Sequence, residues 1–577
     1  MKAIDVAQID YRCFRYNRQS THLESIHPIG IDTEANRLGK CFMICTSRGD
    51  VFTPWEFPGC LFSRKYRGQT FVCYNLKYDM GAFLQRLPLE KLEELRSTDR
   101  TKHDGYRYQV IGYKCLTIRR GKNSVHFYDM LTFYGTSLGE AAKNFLGAHK
   151  IDLDPKQFDH EYIRSHRSEI AEYCIQDAKL VQELADKIIA RFESYGIKVR
   201  KLYSIAYISY QYFRTHTPYV VVKKYWQKHR EVLQYALWAY NGGKFEVTRK
   251  GPGYYYEYDI VSAYPSEIRN LIDISWARVV RSNKYRKDAI YGFLKIKISI
   301  PFDVFTTTVV KRSGVNCYMV GDYETYITKQ EYEYLTAAGC DITIQDGYWL
   351  HCDNRQYPYR REIDRLVTLK VEFKKKGQDL DYHTVKILMN SFYGKMLQLI
   401  KKGERYEATS CWNPVYGTVI TANTRIMVSN RQQIDSAIVA VHTDSVLSTE
   451  PLDIFAKGDL GTFIPKEQGQ GVILGAGIYE IGDKTKFRGL HGQVSLVDTI
   501  RQTNGSLKID YVHAYTWKEI AFRRWPTDWI NRFDTLPKKI DINFDQKRLW
   551  LDDWHSWDQV MERNVESLPL IYAPYLL

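Results

Sequence analysis

Apolar positions run through this chain in two rhythms, and each rhythm predicts a different element. In the first third, short apolar runs alternate with stretches of helical period, which predicts an α/β unit. Ile29-Gly30-Ile31-Asp32-Thr33-Glu34 reads as a strand and Cys41 to Thr46 as its neighbour. From Ser168 to Arg191 apolar residues recur three and four apart with acids between them, which predicts a helix. Tyr240-Asn241-Gly242-Gly243 has turn composition and is expected on a linker between two halves. Tyr254 to Ile260 then reads as a buried strand. Arg360 to Lys376 and Leu380 to Lys395 read as two helices in an antiparallel hairpin. Gly377 stops the first, and Asp379 or Asp381 is expected to cap the second. Ser436 to Leu447 predicts strand, tight turn and strand, with His442-Thr443-Asp444 at the turn. Ser506 to Leu577 is mixed and Trp-rich, expected as a small final subdomain.

Acids sit where several of these elements end or turn. Asp32 and Glu34 are two apart on one strand, so their carboxylates point the same way. Asp79, in Asn75-Leu76-Lys77-Tyr78-Asp79, adds a third. Tyr173 and Asp177, one helical turn apart, add a ring and a fourth carboxylate. Four carboxylates and a tyrosine can hold two divalent cations and orient a water. Downstream, Asp259 closes the predicted strand and Asp444 lies on the predicted turn. Phosphoryl transfer uses two cations about 3.5–4 Å apart, and Mg²⁺ prefers such carboxylates with water and phosphate. Lys386, Asn390 and Tyr393 stand at i, i+4 and i+7 and share one helix face. Gly394 leaves that face open to a base pair. Lys370 and Lys374 on the preceding helix could add phosphate contacts, while Lys375 and Lys376 read as a solvated face. Tyr264 lies where a ring could pack beneath an incoming sugar and exclude a 2′-hydroxyl.

Composition sharpens this picture modestly. The chain has 577 residues, too many for one core, so three to five compact units are expected. Lys and Arg number 82 against 67 Asp and Glu, a net charge of +15, which favours a polyanionic partner. The 45 Tyr, 25 Phe and 12 Trp suit stacking on bases as well as a core. Eleven cysteines are scattered without a Cys-x-x-Cys pair, which predicts reduced thiols and no structural zinc. No apolar run approaches the ~20 residues of a membrane span, and the first residues carry no signal-peptide pattern. A cytoplasmic protein without a membrane partner is expected.

Three segments carry a family resemblance. Tyr258-Asp259-Ile260-Val261-Ser262-Ala263-Tyr264-Pro265, Lys386 to Gly394, and His442-Thr443-Asp444-Ser445 resemble motifs A, B and C of the family B DNA polymerases. The upstream acids resemble the three motifs of the 3′–5′ exonuclease of the same enzymes. The match is closer to the protein-primed branch of phages, viruses and linear plasmids. That branch's Tyr-x-Gly-Gly motif is matched by Tyr240, Gly242 and Gly243, and its Thr-x-x-Gly/Ala-Arg motif is approximated by Thr421 to Arg425, with Thr424 in the small position. The resemblance implies an α/β and α+β multidomain fold, with an RNase H-like exonuclease domain followed by a right hand of palm, fingers and thumb. The expected boundaries are exonuclease 1–195, linker 196–250, palm with a terminal-protein-region insertion 251–354, fingers 355–398, palm 399–505 and thumb 506–577.

The resemblance also implies roles. Asp259 and Asp444 would hold the synthetic cations, and Asp32, Glu34, Asp79 and Asp177 those of the exonuclease, with Tyr173 and Lys150 as further catalytic groups. Two Mg²⁺ per site are expected, with Mn²⁺ able to substitute. Tyr264, Lys370, Lys374, Lys386, Asn390 and Tyr393 would bind the nucleotide. Asn75, Tyr78, Ser137 and Leu138 would bind single-stranded DNA. Tyr240, Gly242, Gly243, Thr421, Arg425, Tyr479, Lys486 and Arg488 would bind the DNA being copied. Partners implied are template, primer, dNTPs and a separate terminal protein.

The chain departs from the pattern in places. His442 stands where motif C has its first Asp, and Ala35 where the first exonuclease motif often has Thr. Gly477 stands where the Lys-x-Tyr primer motif ending at Tyr479 needs its lysine, so Lys484, Lys486 or Arg488 would supply the charge. The interval from Gly394 to His442 is short for the branch's second insertion, which supports processivity. Extension of ordinary primers, start without a primer, or a mainly nucleolytic or DNA-binding protein with a degenerate motif C remain as alternatives.

Overall fold

A computed structural model describes residues 4–10, 24–154, 157–217, 227–409, 411–454, 458–488, 495–498 and 507–573. Its N-terminal unit is an eight-stranded mixed sheet. In spatial order the strands are Val51–Phe52, Cys41–Thr46, Ile29–Ala35, Thr70–Cys73, Asn123–Asp129, Cys115–Arg120, Tyr106–Ile111 and Arg100–His103. Ile29–Ala35 runs parallel to Thr70–Cys73 and antiparallel to Cys41–Thr46. The helix Arg167–Ser194 crosses this sheet at Gly30. A Cβ there would stand 1.7 Å from the Ala178 carbonyl oxygen, so only glycine permits the approach. That close crossing brings Tyr173 and Asp177 over the strand carrying Asp32 and Glu34.

A second sheet, of nine strands, forms the centre of the chain. Along its main path lie Lys244–Val247, Ile438–Thr443, Ser445–Ser448, Arg249–Ile260, Phe463–Gly475, Ile478–Ile481 and Lys484–Phe487. The expected strand–turn–strand is present as Ile438–Thr443 and Ser445–Ser448. Its turn holds Thr443 at φ +63°, a left-handed position that a β-branched residue enters at a cost of about 1–3 kcal/mol. Between Asn270 and Tyr357 lies a third sheet, of four strands, in the order Arg278–Arg281, Asp341–His351, Tyr291–Ile300 and Gly321–Thr328. It has its own core around Leu294, Ile296, Ile327, Leu335 and Trp349.

Three expectations change on the structure. The stretch 196–250 is no loose linker over its described part. Helices Ile205–His216 and Arg230–Ala239 bury Ile208, Tyr212, Phe213, Leu233 and Leu237 in the largest core. The helical hairpin is present as Arg360–Lys375 and Asp379–Ser391, but Gln378 is the N-cap and no side chain caps it. Asp381 is instead buried in the first turn, 3.2 Å from Arg191. The final stretch is not one subdomain. Trp517, Ile520 and Ile530, between strands Leu507–Ala514 and Phe533–Ile540, pack into the core of the N-terminal unit, whereas Val565–Leu568 pairs with Arg249–Ile260 in the central sheet. Tertiary burial decided which body each of these stretches joined. Among the described residues no helix is long and apolar enough to cross a membrane.

Candidate active sites

Asp259 and Asp444 meet in the central sheet. Asp259 pairs with Ser445 in the ladder, and the Ile260 N–H donates to the Asp444 carbonyl at 2.8 Å. The Thr443 kink turns Asp444 toward its neighbour. Burial, then the charge of Asp259, pushes the Asp444 carboxyl up to about 6. The ladder opposite jumps from Glu467 to Pro465, so Lys466 is an extra, bulged residue. Its ammonium lies 3.4 Å from Asp259 Oδ2. The pair opens onto a cavity of about 700 Å³ lined also by Phe245, Glu257, His442, Tyr479, Lys484, Lys486 and Arg488.

His442 lies behind the two aspartates. Its ring stacks on Tyr479 with centroids 4.8 Å apart, and its Nε2 accepts from the Gly477 N–H at 3.3 Å. Burial, then the nearby Lys547, drops its pKa to about 3, so it is a neutral ring. Tyr479, expected at DNA, is instead buried, and its hydroxyl donates to Glu257 at 3.3 Å. Glu257 is 3% exposed and also bonds Lys484. Lys486 and Arg488 remain exposed, the Arg488 guanidinium lying 4.7 Å over the Phe245 ring.

The expected nucleotide residues lie on the helices near the segment after Asp259. Lys386 and Asn390 are exposed on one helix face. The helix breaks at Phe392, so Tyr393 starts a new short turn, and its ring lies 4.7 Å from that of Tyr264. Open space surrounds Gly394. Lys370 donates to Ser262 at 3.0 Å. Burial, then the charges of Lys386, Lys374 and Lys466, lowers its pKa, which marks a cationic cluster short of an anion.

Tyr240 reaches this group, its hydroxyl 3.0 Å from that of Tyr393. Gly243 packs on the motif C turn, where a Cβ would meet the Thr443 side chain at 2.6 Å. Thr421 and Arg425 do not meet the expectation of DNA contact, because both are fully buried. The Arg425 guanidinium donates to the Asn241 carbonyl at 2.5 Å and the Gly242 carbonyl at 2.9 Å, and pairs with Glu331 at 2.7 Å. It holds the glycine segment from behind. A buried, paired guanidinium cannot also bind a phosphate in solvent.

In the N-terminal unit Asp32, Glu34, Asp79 and Asp177 converge and are all largely buried. Burial, then Asp177, pushes Asp32 up to about 7. Burial, then Asp32, raises both Glu34 and Asp79. Lys150 lies 2.5 Å from Asp177 Oδ2 and 4.7 Å from the Tyr173 ring centroid. Thr33 donates to Asp79 at 2.8 Å. Asn75 is exposed at φ +69° and makes no side-chain cap bond. Tyr78 stacks on Phe533, and Asn531 donates to the Tyr78 carbonyl at 2.8 Å, so the late hairpin borders this site. Ser137 N-caps the turn Leu138–Ala141 in a capping box with Glu140. Its hydroxyl is thus engaged in the fold, and Leu138 is half-buried.

Four residues of these sites were missed in the sequence. Glu257 had a signal, two positions before Asp259 on a strand. Asp129, which accepts from the backbone of Asn75, Leu76 and Leu131, had one in closing an apolar run. Lys466 had none, because a bulge aims it. Cys174 had none in a scattered cysteine set.

Residues 163–406 match the family model described as DNA polymerase type B, organellar and viral. The primer-independent DNA polymerase PolB of Escherichia coli is 23% identical over 254 residues, 39% of this chain and 29% of that protein. The match therefore spans less than a third of the curated relative. The fold is that of phi29 DNA polymerase. Its complex with primer-template DNA and incoming nucleotide superposes with a TM-score of 0.64 at 15% identity, covering 90% of this chain and 100% of that one. Its complex with single-stranded DNA gives 0.61 at 14%, covering 89% and 100%. The chain thus resembles the type B DNA polymerases of the organellar and viral kind across its centre, and the phi29 polymerase fold extends over nearly its whole length.

Proposed function

We propose that the chain extends DNA by template-directed addition of deoxynucleotides and removes mismatched ends by 3′–5′ exonuclease action. The observation that carries this reading is the presence of two carboxylate sets, one at the central sheet and one at the N-terminal sheet with the helices that flank it. One, Asp259 with Asp444, opens into a cavity rimmed by lysines. The other, Asp32, Glu34, Asp79 and Asp177, converges in the N-terminal unit beside Lys150. Both donor sets fit divalent cations. Asp177 Oδ1 is buried without a partner, and Asp444 faces a like charge with only Lys466 near. Two Mg²⁺ at each site, or Mn²⁺ in their place, would stabilise the attacking and leaving oxygens in phosphoryl transfer.

The chain's own groups do the positioning. Lys370, Lys374, Lys386 and Lys466 would bind the triphosphate, and Asn390 and Tyr393 face the nascent pair. Tyr264, packed on Tyr393, would exclude a ribose 2′-hydroxyl. In the other site Lys150, over Tyr173, would orient the water and the scissile phosphate beside Asp177, while Asn75 and Tyr78 hold the single-stranded end. Residues 1–195 would be the exonuclease, 251–354 and 399–505 the palm, and 355–398 the fingers.

Initiation has two readings. The four-stranded sheet between Arg278 and His351 occupies the interval of the branch's terminal-protein-region insertion, which supports priming by a separate terminal protein on a linear viral or plasmid genome, in the host cytoplasm. The relative whose name includes primer-independent synthesis supports starting with neither protein nor oligonucleotide. Labelled dNTP incubated with template, with and without candidate terminal protein, separates them. The main reading is tested by two variants. Asp444→Ala should abolish incorporation and retain degradation of single-stranded DNA, and Asp32→Ala with Glu34→Ala should do the reverse. Normal synthesis by Asp444→Ala would refute the assignment.

A further inference from the structure

The wall of the N-terminal site is not all oxygen. Cys174 lies on the helix of Tyr173 and Asp177 and is fully buried. Its sulfur joins one carboxylate oxygen each of Asp32 and Glu34 in a group whose atoms all lie within 4.8 Å of one another. Among the described residues this is the one place where three such donors converge. A second thiol backs it. Cys45 stands opposite Asp32 in the ladder and packs in the same core cluster as Cys174. Asp177 is 3% exposed, with Oδ2 on Lys150 and Oδ1 buried without any partner, and its charge acts on both Asp32 and Glu34. Met43, Phe158 and Ile170 close the wall behind the thiols.

We propose that the N-terminal site binds a thiophilic divalent ion, of the Zn²⁺ or Cd²⁺ class, through Asp32, Glu34 and the thiolate of Cys174. Zinc takes sulfur at about 2.3 Å and carboxylate oxygen at about 2.0–2.2 Å, and three protein ligands leave a fourth position open. Tetrahedral donors at those lengths are roughly 3.5 Å apart, and the three donor atoms here lie within 4.8 Å of one another. Binding forms a metal–sulfur bond and releases the thiol proton to solvent, and no electrons are transferred. Mg²⁺ has little affinity for sulfur, so it gains nothing from Cys174. The central site presents Asp259 and Asp444 and no thiol, so softer ions distinguish the two sites. An ion drawn to the sulfur wall sits apart from Asp79, and degradation of single-stranded DNA stops before synthesis does. That last consequence rests on the exonuclease reading; the binding site does not.

Metal-free full-length protein titrated with Cd²⁺ or Co²⁺ tests the site. A thiolate-to-metal charge-transfer band should rise and saturate at one ion per chain. Cadmium NMR should show a resonance shifted out of the all-oxygen range. Both read the unaltered protein, so neither depends on a variant folding. Cys174→Ser should abolish the band. Asp32→Asn should weaken binding about tenfold or more, since even outer partners of a metal matter ~10–100-fold. A band surviving Cys174→Ser, or an all-oxygen cadmium resonance, overturns the site. Failure to degrade single-stranded DNA with Mg²⁺ alone would sink the exonuclease reading, and the charge-transfer result would still decide this one.

Discussion

Replacing Arg425 by Leu should cost stability rather than DNA affinity. The Arg425 and Glu331 side chains are 0% and 1% exposed. Glu331 uses its other oxygen to cap the helix Lys329–Ala337, accepting from the Thr328 N–H and hydroxyl at 3.1 Å each. Arg425 therefore ties three things together: the helix Lys329–Ala337 of the four-stranded sheet's body, the long helix Pro414–Ile434, and the Tyr240–Gly243 segment beside the Thr443 turn. In the Leu variant the Glu331 carboxylate stays buried without its cation, and two carbonyls lose their donor. Breaking a buried pair costs about 3–5 kcal/mol, and the orphaned carbonyls push toward the upper end. At ~2–4 °C per kcal/mol for a unit of a few hundred residues, melting should fall by on the order of 10 °C. Because a chain of several bodies need not melt in one step, hydrogen exchange at residues 240–243 gives the local reading, with protection falling on the order of a hundredfold or more. Adding Glu331→Gln removes the buried charge and should recover roughly 2 kcal/mol. A Leu variant that melts within ~2 °C of the parent while the salt slope of DNA binding falls by about one would refute this account. Arg425 would then touch a phosphate.

Two further outcomes follow from the central cavity. Tyr264→Val should raise ribonucleotide incorporation relative to deoxynucleotide in single-addition assays, and an unchanged ratio would make Tyr264 a packing residue only. His442→Ala should reduce primer extension far less than Asp444→Ala at matched Mg²⁺, and an equally deep loss would show that the neutral ring is essential.

Much of the fold was legible because local pattern and tertiary role agreed. Gly30, Asp32 and Glu34 lie on a strand buried on both faces, and the helix that covers it has an unbroken 3.6-residue rhythm. The stretch 196–250 misled for the opposite reason. Its Tyr-rich helices carry a mixed composition, and only the complete core gives them an apolar partner. Arg425 misled because the motif resemblance put it at DNA, and only the fold sets the buried Glu331, from the helix Lys329–Ala337, against it.

The central cavity shows the limit most clearly. From sequence, His442 is a lost acid beside Asp444. In the fold, a neutral ring belongs there. It stacks flat on Tyr479 and accepts from a glycine N–H, and burial beside Lys547, Lys484 and Arg488 excludes the imidazolium. The acid has not left the cavity. Glu257, from the strand of Asp259, lines the same space and is already engaged by Lys484 and Tyr479. Lys484 thus answers a buried carboxylate before any phosphate, which leaves Lys486 and Arg488 as the exposed cations on that rim. A charge absent at one position in the sequence is weighed in space by its neighbours, and here the strand of Asp259 places a second carboxylate on the cavity that the strand of Asp444 faces.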